Sequence, residues 1–293
     1  MTFSPNLIDD FRDIWSLMFM VNAFRAGTIV AVLAALVGWY MVLRRQSFAG
    51  HTLALVGFPG AAFAVLVGLG VTFGYFAFCI AAALVIAALP TDSRRGYSEE
   101  SAVVGTVQSF ALALGVLFVG LYRGFLNGTN ALLFGSFLGI TSAQVLTLAA
   151  VAVVVLGVLA LVGRPLLFAS VDPDVARARG VPTGLLGAVF LVLLGATVAE
   201  VGQITGVLLI FALLVLPPAT AQQLTSRPLP GLALSVVFGL VTVWVALFVA
   251  FYSDYPVGFW LTTISFVLYV LVRGGVAARG SLAARAPLSG GAV

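Results

Sequence analysis

Lysine is missing from this chain altogether, histidine and cysteine occur once each, and charged side chains make up only 8% of its 293 residues. Each shortage removes a class of function. A P-loop needs a lysine on the nucleotide phosphates, so the chain is not itself a conventional P-loop ATPase, and ATP-driven work would draw on a separate subunit. The lone Cys79 excludes an intrachain disulfide and a Cys-cluster metal site. The net charge of +4 rests on arginines placed at the ends of apolar runs, which is no nucleic-acid footprint. Asp9, Asp10, Arg12 and Asp13 precede the first apolar run, the wrong charge order for a signal peptide, so no cleavage is expected.

What remains is apolar: 62% of the residues, far outside soluble composition. Glycine, proline and charge clusters divide the chain into about nine apolar segments, roughly 26–43, 48–69, 71–90, 101–122, 142–162, 184–201, 203–221, 231–252 and 257–273. Each is long enough to approach or cross a bilayer core of about 30 Å. Backbone in lipid must satisfy its own hydrogen bonds, and the runs lack strand alternation, so they predict helices. The fold class is all-α: a polytopic helical membrane protein. An N-terminal interfacial segment (1–25) precedes the membrane region (26–273), and a flexible tail (274–293) follows it. The stretch from Asn130 to Ile140 is too short to span and predicts a re-entrant or interfacial turn.

Eleven of the 14 basic residues fall on one side if the N-terminus lies outside and the C-terminus inside, Arg44, Arg45, Arg164 and Arg177 among them. On that orientation the outer connections are short, Glu200 to Gln203 being one. The longest inner connection, Arg164 to Pro182, contains SVDPDVARARGVP. Asp172 is a good N-cap, Pro173 suits the first helical position and Asp174 complements the helix N-terminus. Arg177 and Arg179 suit the last turn, and Gly180 is a natural left-handed stop. Spacing alone leaves two readings open, a capped surface loop or a docking element for a cytoplasmic partner.

Six blocks, in order, then resemble one family. FMVNAFRAGTIVAVLAALVGWYMVLRRQSFAGHTLA, SAVVGTVQSFALALGVLFVGL, LLFGSFLGIT, DPDVARARGVPTGLL, TGVLLIFALLVLPPATA and FYSDYPVGFWLTT are similar to the membrane permeases of ABC importers for zinc and manganese. Asp254, Pro256 and Gly258 match the family's last turn, whereas Ser136 stands where an acidic or amide residue is common. The resemblance implies a non-enzymatic transport subunit of the bacterial plasma membrane. Its partners would be a cytoplasmic ABC ATPase, an extracytoplasmic solute-binding protein and a second permease copy, with residues 172–180 as the coupling helix. No cofactor is expected to be held permanently; the metal is cargo, Zn²⁺ ahead of Mn²⁺. The alternative cargo is a metal chelate or another small solute.

That alternative arises because the family's second helix carries an Asp and a His four residues apart. On a helix this spacing puts both on one face, as suits a divalent metal. Aligned on Gly50, this chain has His51 at the Asp position and Leu55 at the His position. His51 is therefore either a lone ligand or a packing residue. Glu200 and Gln203 are the other substrate-path candidates, as an entrance attractor or as solvated interfacial groups. Gln108, Gln144 and Ser136 read as interhelical hydrogen-bonding residues. Pro217 and Pro218 each remove a helical donor and predict a break or kink, either static or a gate hinge. A self-sufficient secondary transporter is disfavoured, because only Glu200 and Asp254 lie near the spans as possible ion relays.

Overall fold

Apolar runs with no water-facing side must close their own backbone hydrogen bonds, and here they do so as helices. The computed structural model describes residues 15–89, 97–122, 135, 137–207 and 209–285. Among these are α1 (Met18–Leu43), α2 (Ser47–Val67), α3 (Val71–Ala88), α4 (Tyr97–Leu121), α5 (Ser142–Val171), α6 (Pro173–Ala178), α7 (Thr183–Thr205), α8 (Ile210–Leu224), α9 (Pro228–Tyr252) and α10 (Val257–Arg285). A single 3-10 turn, Phe137–Gly139, precedes α5. No strand occurs among the described residues.

Eight of these helices are long and apolar enough to cross a membrane, and α8 is shorter. The expected total of about nine apolar helices is met, with one boundary placed differently. The segment 203–221 does not form one span: Gln203 belongs to the last turn of α7, the chain reverses after Thr205, and α8 starts only at Ile210. The expected connection from Glu200 to Gln203 is likewise helix. The cause is local. Gly206 ends α7 at φ +76° and ψ 156°, a backbone position that L side chains rarely take. Hydropathy does not register such a reversal, because the residues on both sides of it are apolar.

At the N-terminal end, α1 begins at Met18, inside the stretch expected to be interfacial. Its one amide, Asn22, is accommodated by donating to the Ile140 carbonyl at 3.2 Å. At the other end, α10 continues through 274–285 as helix, where a flexible tail was expected.

The most enclosed helices are α1 and α7: 67% of the apolar stretch of each is buried, against 11% for α10. α1 packs on α5, α7, α8 and α9, and α2 packs on α3, α4 and α7. Lipid is as apolar as leucine, so close backbone approach has to hold such helices together. Gly60 of α2 and Gly74 of α3 face each other so closely that a Cβ on either would overlap the other's carbonyl oxygen.

Pro217 and Pro218 are buried inside α8, which continues through both as helix. Proline at 218 removes the donor that would satisfy the Leu214 carbonyl. That carbonyl faces Gly38 of α1, where any side chain would collide with it. Polar groups complete the seams: Gln222 donates to the Trp39 carbonyl (3.0 Å), Thr52 to Gln108 (3.0 Å) and Tyr40 to the Gly163 carbonyl (3.3 Å). The Thr52–Gln108 bond is the interhelical role expected of Gln108.

Candidate functional site

The reversal between α7 and α8 is assembled from three distant parts of the sequence. Gly135, at φ +76°, sits against the backbone of residues 204–206, where a Cβ would overlap Ile204 and Thr205. From the other side, Gly258 at the start of α10 makes room for the Leu209 side chain. Thr205 bonds back to the Val201 carbonyl at 3.0 Å, closing the last turn of α7. Three of the six blocks quoted above therefore converge on one turn.

Beside this turn lies a cavity of about 250 Å³. Glu200 and Gln203 stand three residues apart on one face of α7. Opposite them, Gln144 and Thr147 take the same spacing on α5, while Thr72 enters from α3 and Gly139 closes the wall. Thr72 donates to the Gln203 Oε1 at 2.7 Å, and the Gln203 Nε2 donates to the Ala199 carbonyl at 3.0 Å, so that amide is fixed at both ends. Gln144 forms a capping box with Thr141, accepting from its backbone N–H at 2.9 Å. This replaces the interhelical role expected of Gln144 with a local one at the start of α5.

Glu200 is the exception. It is fully buried, and neither carboxylate oxygen receives a hydrogen bond from a described residue. Leaving a buried carboxylate unpartnered costs free energy that packing does not return. Of the two places expected for it, entrance or solvated interface, burial removes the second. The polar atoms gathered around it are oxygens and amides. No group of three or more His, Cys, Asp or Glu capable of holding a metal occurs among the described residues.

His51 is elsewhere. It is half-buried on α2, its ring edge-on to Phe211 of α8 with centroids 5.3 Å apart, and it does not line the Glu200 cavity. The structure brings Glu200 and Gln203 together and leaves His51 apart from them. Sequence reasoning missed Thr72, Thr147 and Gly139, which carry no signal of their own. Threonine at membrane depth usually bonds its own helix, as Thr147 does to the Ala143 carbonyl at 3.2 Å. Ser136 lies outside the described residues.

At the arginine-rich end, α6 has the caps expected of it. Asp172 accepts from the Val175 N–H at 3.0 Å, Pro173 is the first helical residue and Gly180 takes φ +79°. Arg177 pairs with Asp174 at 2.6 Å, and Arg179 is the C-cap residue.

Comparison with known proteins places these features in a lineage. Residues 16–273 match the ABC 3 transport family (ABC-3). The chain is 26% identical over 266 residues to the manganese transport system membrane protein MntC of Halalkalibacterium halodurans, covering 91% of this chain and 90% of that one. It is 29% identical over 252 residues to the chelated iron transport system membrane protein YfeC of Yersinia pestis, with 86% and 84% covered. Among solved structures, PsaBC from Streptococcus pneumoniae in complex with Fab is similar with a TM-score of 0.78 at 24% identity, over 91% of this chain and 95% of that one. That last likeness is one of fold.

Proposed function

The chain belongs to the ABC 3 transport family, and from that membership we infer the permease subunit of an ATP-driven importer of divalent metal ions in a bacterial plasma membrane. Hydrolysis falls to a separate cytoplasmic ATPase, delivery to an external solute-binding protein, and a second permease copy completes the channel. The N-terminus lies outside and the C-terminus inside, on the distribution of arginines.

The observation that carries the cargo reading is the Glu200 carboxylate, buried without a partner among the described residues in a cavity whose other described polar side chains are Thr72, Gln144, Thr147 and Gln203. A carboxylate with amide and hydroxyl oxygens suits hard divalent ions, so Mn²⁺ and Fe²⁺ are placed ahead of Zn²⁺. An imidazole ligand would favour Zn²⁺, but His51 stands outside this cavity, edge-on to Phe211, and we assign it to packing. A volume of about 250 Å³ lies below the pockets of roughly 300–1,000 Å³ that take small organic ligands, which favours an ion over a chelate. Pro217 and Pro218 stiffen α8 and serve as its pivot against Gly38.

Cellular metal content in a deletion strain tests this reading. With the partner proteins present, wild type restores manganese under manganese limitation, and His51→Ala restores most of it. Restoration of zinc alone, lost with His51→Ala, would reinstate zinc and the imidazole. No metal restored by wild type would sink the metal reading.

The coupling role of α6 predicts a separate result. Asp172→Ala removes the N-cap bond to Val175, a loss of about 1 kcal/mol in so short a helix. The ATPase subunit then co-purifies several-fold less well, while the permease still reaches the membrane. Undiminished co-purification would remove α6 from the docking surface.

A further inference from the structure

A hydroxyl or an amide can meet a cation only with lone pairs that its own bonding leaves free, and in the Glu200 cavity that bonding is well defined. Gln203 comes first. The Ala199 carbonyl can only accept, so the amide must turn its Nε2 toward it, at 3.0 Å, and its Oε1 toward Thr72. The Thr72 hydroxyl donates its one proton to that Oε1, at 2.7 Å, which leaves its own oxygen with lone pairs alone. Thr147 is in the same condition, its proton bonded to the Ala143 carbonyl at 3.2 Å.

Gln144, on the wall facing α7, has the reverse polarity. Its Oε1 accepts from both the backbone N–H and the hydroxyl of Thr141, at 2.9 and 3.1 Å, within the capping box. Its N–H groups are what remains for the cavity, and a cation does not bind those. The row of acceptors therefore runs along α3 and α7, and depth orders it. Thr72 is exposed in the first turn of α3, Gln203 is half-buried and Glu200 is fully buried. A hydrated ion arriving from the exposed end meets a hydroxyl oxygen before it meets the carboxylate.

We infer that Thr72 is a ligand and a specificity determinant for a hard divalent cation on its way to Glu200. This role rests on the cargo reading of the cavity, and it assigns the exchange of an early water ligand to one side chain. A hard ion prefers oxygen, and a neutral oxygen with free lone pairs is the nearest match to the water it gives up. Zn²⁺, which takes nitrogen and sulfur readily, gains less from that exchange. Selectivity then begins at position 72, ahead of the carboxylate, and exchanging oxygen for sulfur there should reverse it.

The test uses the purified permease–ATPase complex with Co²⁺ as an optical probe, so that no delivery protein selects the metal. Thr72→Cys replaces the hydroxyl by a thiol of similar size, and a thiolate on cobalt gives an intense sulfur-to-metal absorption band. This variant is expected to show the band, and the double variant Thr72→Cys/Glu200→Gln to lose it. Wild type binds cobalt without the band, since its Cys79 is buried against the Leu53 carbonyl and does not line the cavity. In cells, Thr72→Ser keeps the oxygen and most of the manganese uptake. Thr72→Val lowers that uptake about tenfold, the loss of one contact to a charge. Thr72→Cys shifts uptake from manganese toward cadmium, a ratio that a merely structural hydroxyl would not move. Cobalt bound by Thr72→Cys without the band, or manganese carried by Thr72→Val as well as by wild type, would overturn the role of Thr72 and leave the Glu200 reading in place. Wild type that binds no cobalt would overturn both.

Discussion

Glu200→Gln should lower metal accumulation at least about tenfold while leaving the permease as stable as wild type, or more so. The two effects run in opposite directions for one physical reason. A carboxyl group with no hydrogen bond from a described residue destabilises the bundle to the extent that it is ionised, and the near-isosteric amide carries no charge to bury. The same substitution withdraws the only carboxylate among the described residues that line the cavity, the group able to offset the lost hydration of a divalent cation. A tenfold loss corresponds to about 1.4 kcal/mol, small beside the several kcal/mol of a buried charge interaction. The measurement is paired: manganese content of complemented cells, and the thermal unfolding midpoint of the purified complex. Stability lost together with transport would mean that Glu200 holds the fold. Transport retained in full would remove it from the cargo path.

Gly135→Val combines two faults at one atom. At φ +76° a β-branched residue is strained by roughly 1–2 kcal/mol before packing is considered. Its side chain would also occupy the space of the Ile204–Gly206 backbone, which cannot move without unwinding the end of α7. Overpacking of this kind adds about 1–3 kcal/mol. Gly139 and Ile140, a few residues after Gly135, also wall the Glu200 cavity, so displacement here opens that wall. The expected result is loss of metal accumulation with a lowered unfolding midpoint and reduced yield. Gly180→Ala is the control: it too has positive φ, but open space surrounds it, so it should carry the strain without the collision. If the two variants behaved alike, packing at residues 204–206 would not be the cause.

The sequence disclosed those features that depend on residues close together in the chain. α6 was legible to its caps because Asp172, Pro173 and Gly180 act on their own neighbours. The helical membrane class followed from the apolar runs alone. The end of α7 was not legible, because Gly206 is one of 32 glycines and lies in an uninterrupted apolar stretch. The local φ of Gly206 turns the chain, and distant residues pack on the turn: Gly135 lies against residues 204–206 and Gly258 against Leu209. The cavity was half legible. Glu200 and Gln203 stand out because charged and amide groups are scarce here, whereas Thr72 and Thr147 look like any membrane threonine. His51 drew attention for the same scarcity, and it stands edge-on to Phe211, away from the Glu200 cavity.

One helix is longer than a bilayer requires. At 30 residues α5 measures about 45 Å, against a hydrocarbon core of about 30 Å, and it runs past Pro165 without a break until Asp172 starts α6. Its first two turns carry Gln144 and Thr147 of the Glu200 cavity. The two ends are therefore joined as the arms of a rod. A tilt of about 5° over that length displaces one end by roughly 4 Å relative to the other. On the proposed coupling role of α6, a stroke delivered there reaches the cavity wall through one continuous helix rather than through a relay of side chains.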